Sequence, residues 1–230
     1  MIDFHSHILP AVDDGSKNVE ESKVLLSMLS QQGIKYVVAT PHFLPEHESV
    51  DEFLLRRNKA FEELTVNYSE ELPQIFLGAE VAYYEGISHL YGLEKLVIGD
   101  SRLLLVEMPL RKWSETSVRE LTNIACSNTV TLVLAHIERY LPYDNKEAIN
   151  TLLDCGVPLQ TNASFFNEFQ TKRKALRMLK DGLIHFVGSD CHSVRRRPPF
   201  IGQAYTFIAK KLGDGFLQDF TEYQSALLRI

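Results

Sequence analysis

Seven short apolar or β-branched runs recur along this chain: Ile2–His7, Tyr36–His42, Gln74–Tyr83, Leu103–Met108, Thr131–His136, Pro158–Asn162 and His185–Asp190. Several of them, such as YVVAT, LLLVE and TLVLA, are close to continuously hydrophobic. That is the pattern of a strand buried on both faces, as in a parallel sheet. Helical patterns lie between most of the runs. Asn18 and Glu21 make an N-terminal cap before Val24, Leu25, Met28 and Leu29, with Gly33 as the stop. Ser49 and Glu52 repeat the device before Phe53, Phe61 and Leu64. Val118, Leu121, Ile124 and Ala125 form a third apolar face. Asn145 caps a fourth helix that ends at Gly156, and Leu176 and Leu179 lead a fifth that ends at Gly182. The stretch Tyr84–Asp100 is broken by glycines and is expected to be a loop with one short helix. Strand–helix alternation repeated this often predicts a parallel α/β fold.

Residues that bind metals or protons stand at the ends of these runs: His5 and His7, His42, Glu80, Glu107, His136, Asp190 and His192. Parallel strands present all their C-terminal ends on one face, and in a closed barrel those ends ring one pocket. On an open sheet, strands at opposite edges would not reach a common site. The expectation is therefore a seven-stranded (β/α) barrel with its active site at the C-terminal ends of the strands. With 230 residues and 45% hydrophobic content, the chain suits a single domain over 1–230.

Three widely spaced cysteines, Cys126, Cys155 and Cys191, do not read as a disulfide framework and favour a reducing, cytoplasmic setting. The N-terminus does not read as a signal peptide, and no apolar run is long enough to insert into a bilayer. A net charge of −6 argues against a nucleic-acid partner.

His5 and His7 are two apart on a strand, so both side chains face the same way. A carboxylate ending LLLVE, or an imidazole ending TLVLA, is costly in such surroundings unless paired or bound to a cation. Asp14, in the turn-forming Asp13-Asp14-Gly15, joins the candidate ligands. Nitrogen and carboxylate donors without a cysteine pair suit Zn, Mn or Fe. So many ligands exceed the needs of one ion and fit two or three, with a carboxylate shared. His47, His89 and His185 are assigned to surface or core.

Six motifs make the pattern specific: His5-Ser-His7, Thr40-Pro-His42, Gly78-Ala-Glu80, Val106-Glu107, Ala135-His136-Ile-Glu-Arg139 and Ser189-Asp190-Cys-His192. Together they resemble the polymerase and histidinol phosphatase (PHP) superfamily over essentially the whole chain. The HSHILP…DDG opening and the SDxH…RPP segment are most similar to its bacterial tyrosine phosphatases from capsule and exopolysaccharide operons. The resemblance implies a distorted seven-stranded barrel and a trinuclear, manganese-supported site. It implies that His5, His7, Glu80 and Asp190 hold one ion, Glu80, Glu107 and His136 a second, and Asp14, His42 and His192 a third.

The implied reaction is hydrolysis of phosphotyrosine by a hydroxide held between the ions. Arg139 and Arg197 are the expected phosphate clamps, while Arg195 and Arg196 read as solvated. Phe43, Tyr83, Tyr84 and Trp113 fall after strand ends, where they either pack or stack on the tyrosyl ring. The implied partner is the tail of a membrane-associated tyrosine kinase, and the sequence leaves room for an oligomer. Alternatives are another PHP phosphoesterase, such as a histidinol-phosphate phosphatase, or a regulatory module that binds metal without catalysis. Cys191 and Arg197 also match the C-x5-R spacing of cysteine-dependent phosphatases, but the residues between them lack the glycine such a phosphate-wrapping loop needs.

Overall fold

A computed structural model of the chain describes residues 1–66, 68–69 and 71–230. In order, the elements are β1 (Ile2–Ser6), α1 (Val19–Gln31), β2 (Tyr36–Ala39), β3 (His42–Phe43), α2 (Val50–Thr65), β4 (Gln74–Leu77) and β5 (Glu80–Ala82). Then follow β6 (Leu103–Glu107), α3 (Glu115–Cys126), β7 (Thr131–Leu134), α4 (Ile137–Tyr140), α5 (Lys146–Asp154) and β8 (Gln160–Asn162). The chain ends with α6 (Ser164–Asn167), α7 (Lys172–Lys180), β9 (Phe186–Gly188), α8 (Ile201–Leu212) and α9 (Asp214–Leu228). The strands pair in parallel in three sheets, β1-β2-β4, β3-β5-β6-β7 and β8-β9.

Two of the expected runs are each broken into a pair of short strands, one at Thr40-Pro41 and the other at Gly78-Ala79. Pro41 has no N–H to donate to a ladder. The neighbouring strand breaks in step: Gly78 N–H donates to Ala39 O at 2.8 Å and Glu80 N–H to Pro41 O at 3.0 Å. A Cβ at Gly78 would lie 2.8 Å from Ile98 Cγ1, so any other residue there would displace the Ile98 side chain. Backbone bonds also link the sheets. Leu134 N–H donates to Pro158 O (2.9 Å) at one junction. Asp190 N–H donates to His5 O (2.8 Å) and His7 N–H to Cys191 O (2.9 Å) at the other.

The continuous hydrophobicity of the runs has the cause expected of it. Val38, Leu103, Leu105 and Val133 pack inward with Phe4 and Phe186, whose rings stack at 3.7 Å. Their sequence neighbours Val37, Leu104, Val106, Leu132 and Leu134 pack outward beneath the helices. Each fully buried side chain of this size stabilises the fold by about 1.5–3 kcal/mol.

The helices begin where the caps are. Asn18 accepts from Glu21 N–H at 2.9 Å, and Ser49 and Glu52 form a complete capping box. Asn145 stands at the start of α5, but its side chain does not cap that helix. Instead it bonds Trp113 N–H and Arg111 O. The stretch from Tyr84 to Asp100 holds two 3-10 turns, Ile87–His89 and Leu93–Leu96, rather than one short helix. Helices α8 and α9, which the pattern analysis did not anticipate, close against β1: Tyr205 OH donates to Ile2 O at 2.6 Å, and Leu228 joins the inner core.

Candidate metal centre

Side chains at or just past the ends of β1, β6, β7 and β9 meet with His42 and Glu80, which open β3 and β5 just past the breaks at Thr40-Pro41 and Gly78-Ala79 rather than closing a strand. His5, on β1, and His7, just beyond it, bring their Nε2 atoms to 3.4 Å from each other. His5 Nε2 is 3.6 Å from Glu80 Oε1 and 3.3 Å from Asp190 Oδ1. His7 Nε2 is 3.3 Å from Glu80 Oε2 and 3.5 Å from Asp190 Oδ1. Four donors around one ion at about 2.0–2.2 Å stand about 3.3–3.6 Å apart when tetrahedral. His5 Nε2, His7 Nε2 and Asp190 Oδ1 are therefore already spaced as three corners of such a shell, while Glu80 reaches His5 through one oxygen and His7 through the other.

His136 Nε2 lies 2.5 Å from Glu80 Oε1 and 3.7 Å from Glu107 Oε1. Asp14 Oδ1 lies 3.4 Å from His192 Nε2 and 3.5 Å from His42 Nε2. His42 Nδ1 is 2.9 Å from Glu80 Oε2. Glu80 is thus the hub. Its Oε2 is buried and, despite two imidazoles nearby, neither contact has hydrogen-bond geometry. An orphaned carboxylate oxygen facing two imidazole nitrogens fits a site for a cation.

Outside the cluster, four imidazoles are held by their other nitrogen. His5 Nδ1 bonds Thr40 Oγ1 (2.7 Å), His7 Nδ1 bonds Asp13 Oδ2 (2.7 Å), His136 Nδ1 bonds Asn162 Oδ1 (2.9 Å), and His192 Nδ1 bonds Asp190 O (2.9 Å). Fixing Nδ1 sets the ring orientation and leaves Nε2 facing the centre. His136 and Asp190 both adopt left-handed backbone, at φ +51° and +54°. Such strain costs on the order of 1–3 kcal/mol per residue and persists where surrounding structure enforces it.

The electrostatics match this crowding. Burial opposes charge on Glu80, yet the facing His5 and His136 hold it well below the usual carboxylate range. Burial drives His5 down to about 4 against the pull of Glu80. His136 goes the other way, to about 9, because the Glu80 charge outweighs its burial. The negative charge that Glu80 sets against His136 at 2.5 Å is the kind a divalent cation would offset. The donor set, its spacing and the orphaned oxygen all fit such a cation.

Arg139 Nη2 donates to Asp190 Oδ2 at 2.6 Å, and Arg197 Nη2 donates to the same oxygen at 2.5 Å. Arg197 Nη1 also donates to His192 Nε2 at 2.8 Å. Arg195 and Arg196 are exposed, and among the described residues no carboxylate pairs with either. All nine candidate ligands and both candidate arginines thus gather in one place. Asp14 is the most exposed of the ligands, with 69% of its side-chain surface open to solvent. Phe43 and Trp113 are buried packing residues, against Phe53 and Tyr140, while Tyr83 and Tyr84 remain half-buried.

The Cys191 loop does not cradle a phosphate. Cys191 is fully buried, and burial pushes its thiol pKa up. Its loop spends its backbone N–H groups internally: His192 and Ser193 donate to Arg197 O, and Arg196 and Arg197 to Ser193 Oγ.

Residues 1–228 match the family model for capsular polysaccharide synthesis, CpsB/CapC. The chain belongs to the CpsB/CapC family. It is 37% identical to the tyrosine-protein phosphatase CpsB of Streptococcus pneumoniae, over 93% of this chain and 91% of that one. It is 29% identical to the tyrosine-protein phosphatase YwqE of Bacillus subtilis, over 100% and 92% of the two chains. A solved structure from a study of YwqE and CpsB, described there as unique metal-dependent tyrosine phosphatases, superposes with a TM-score of 0.81 at 26% identity, covering 100% of this chain and 94% of the other. A histidinol phosphate phosphatase from Lactococcus lactis shares the fold at a TM-score of 0.54 and 16% identity, over 91% of this chain and 92% of that one. The PHP-type α/β fold with parallel sheets is therefore common to this CpsB/CapC chain and its neighbours.

The positioning groups of this CpsB/CapC site escaped the sequence reading. Asp13, Thr40 and Asn162 orient ligands, and Asn162 Nδ2 also donates to Asp190 Oδ2 at 2.8 Å. Gln160 accepts from His136 N–H at 2.8 Å, and Glu138 accepts from Thr161 Oγ1 at 2.6 Å and from Asn162 N–H at 3.2 Å. One signal was available: Gln160-Thr161-Asn162 is a wholly polar β8 in which every residue is buried.

Proposed function

We propose that this protein is a metal-dependent phosphatase that removes phosphate from phosphotyrosine in proteins. The observation that carries this reading is the convergence of imidazole nitrogens and carboxylates on Glu80, with two guanidinium groups meeting on adjacent Asp190. His5, His7, Glu80 and Asp190 would hold one divalent ion. Glu80, Glu107 and His136 would hold a second, and Asp14, His42 and His192 a third. The side chains close enough to share an ion fall into overlapping groups, His5/His7/Glu80, His5/His136/Asp190, His42/Glu80/Glu107 and His7/Asp14/His42/His192, which support more than one such position but divide the ligands differently. The donor chemistry suits Mn, Fe or Zn, with Mn the choice the family resemblance favours. When bound, such ions lower the pKa of a water and neutralise charge on phosphoryl oxygens.

The protein's own groups do the rest. Thr40, Asp13 and Asn162 keep three imidazoles aimed inward before any substrate arrives. Arg139 and Arg197 bring N–H donors to the rim, where guanidinium geometry matches phosphoryl oxygens. The tyrosyl leaving group has a pKa of about 10, so it needs less help from a proton donor than an alkyl alcohol. The three sheets are read as arcs of a distorted seven-position barrel. Support comes from the backbone bonds that join β7 to β8 and the end of β9 to β1. The substrate is a phosphotyrosine protein, read from the family resemblance as the tail of a membrane-associated tyrosine kinase. A cytoplasmic setting agrees with three unbonded cysteines and with the lack, among the described residues, of a helix long and apolar enough to cross a membrane.

The test is elemental analysis of the purified protein alongside turnover of an aryl phosphate, a phosphotyrosine peptide and histidinol phosphate, before and after chelation. Bound divalent metal, with chelation-sensitive turnover of the two aryl esters in preference to histidinol phosphate, is expected. Turnover that survives complete removal of metal, or preference for the alkyl ester, would overturn the reading.

A further inference from the structure

A groove of about 580 Å³ opens beside the metal centre, within the size range of ligand pockets. Its walls come from three loops. Glu46 follows β3, Tyr83 and Tyr84 follow β5, and Arg111 and Trp113 follow β6. Those three strands carry His42, Glu80 and Glu107, one of the groups able to share an ion. Groove and site thus lie at the same ends of these strands, and Tyr83 of the groove bonds through its N–H to the carbonyl of Glu107 at 2.9 Å.

Both main walls are held from behind. Glu120, on α3, accepts from Tyr83 OH at 2.6 Å through one oxygen and from Gly86 N–H at 2.7 Å through the other. Asn145, 2% exposed, accepts from Trp113 N–H at 2.9 Å and donates to Arg111 O at 3.0 Å. Trp113 Nε1 in turn donates to Pro109 O at 3.2 Å. This explains why Asn145 does not cap its own helix. Walls fixed in advance spare a ligand the cost of ordering them.

We infer that this groove binds the polypeptide segment flanking the phosphotyrosine, making the protein selective for phosphotyrosine within a peptide over small aryl phosphates. The inference rests on the phosphatase reading above. The lining suits a peptide. Half-buried Tyr83 and Tyr84 offer ring faces, the Tyr83 hydroxyl being held by Glu120, and exposed Arg111 has no carboxylate within ion-pair distance among the described residues. Glu46 and Glu85 on the other walls supply acceptors.

The test uses the full-length, metal-loaded protein with para-nitrophenyl phosphate, free phosphotyrosine and a phosphotyrosine peptide. The peptide is expected to have a lower KM than free phosphotyrosine. Thr116→Trp, which fills the groove, and Arg111→Glu, at an exposed side chain, should each lower the ratio of peptide to para-nitrophenyl phosphate kcat/KM by about tenfold through KM. Equal KM for peptide and free phosphotyrosine, or a ratio unmoved in both variants while para-nitrophenyl phosphate is still hydrolysed, overturns the groove alone. No turnover of any aryl phosphate by the wild type overturns the phosphatase reading and the groove with it.

Discussion

Asp13 holds His7: its Oδ2 lies 2.7 Å from His7 Nδ1, and the same oxygen accepts the backbone N–H of His42 at 2.9 Å. One carboxylate thus ties the loop after β1 to β3 and fixes two candidate ligands. Burial opposes its charge, but the His7 partner holds its pKa far below the usual carboxylate range. Loss of such an orienting carboxylate typically costs about 10–100-fold in metal affinity. Asp13→Asn should therefore shift the manganese concentration for half-maximal activity upward by about that factor, with turnover largely recovered at saturating metal. A titration of activity against free manganese reads this directly, and an unchanged midpoint would count against the role.

Arg139 and Arg197 share one acceptor, Asp190 Oδ2, whereas Arg195 and Arg196 point to no carboxylate among the described residues. A hydrogen bond to a charged group contributes about 1.5–3 kcal/mol, or roughly 10- to 150-fold in rate if made in the transition state. Alanine at Arg139 or Arg197 should lower kcat/KM for an aryl phosphate by about that factor. Alanine at Arg195 or Arg196 should leave it within about twofold. Steady-state kinetics on the four single variants separates the two pairs.

The strand ends were legible because the strands are buried on both faces. A run such as Leu103–Val106 leaves little room for a polar group, so Glu107 at its end stands out. Asp13 was illegible for a different reason. It and Asp14 are adjacent and chemically identical, and only the fold aims one inward, at 7% side-chain exposure, and leaves the other at 69%. The strand breaks at Pro41 and Gly78 depend on neighbouring strands breaking together, a long-range relation that local pattern does not carry. Helix α8 was available to a closer reading: Ile201, Ala204, Tyr205 and Ile208 are buried at helical spacing. Asn145 has the right position for a cap, but tertiary contacts claim its side chain.

Cys191 supplies a test of mechanism. Its side chain is fully buried, and its carbonyl, not its thiol, serves the site by accepting His7 N–H at 2.9 Å. A nucleophilic cysteine needs a lowered pKa and access to substrate, and burial gives this thiol neither. Cys191→Ala should retain aryl phosphatase activity to within a few-fold and remain sensitive to chelation. A variant that binds metal normally yet is inactive would point back to a thiolate.

His185 gives a pH prediction away from the metal centre. Its Nδ1 accepts Leu159 N–H at 3.1 Å, which requires that nitrogen to be unprotonated. Burial holds its pKa below the ordinary histidine value. A group with a depressed folded pKa takes up its proton more readily when unfolded. Its contribution to stability is therefore present above the unfolded pKa of about 6.5 and is lost as pH falls below it. His185→Asn keeps an acceptor for Leu159 N–H but cannot be protonated. Between about pH 7.5 and 5.5, the urea midpoint of metal-stripped wild type should fall further than that of the variant. Comparing the two proteins at both pH values isolates His185, because the imidazoles of the metal centre titrate in both. Parallel midpoint shifts would show that Leu159 N–H does not depend on a neutral His185.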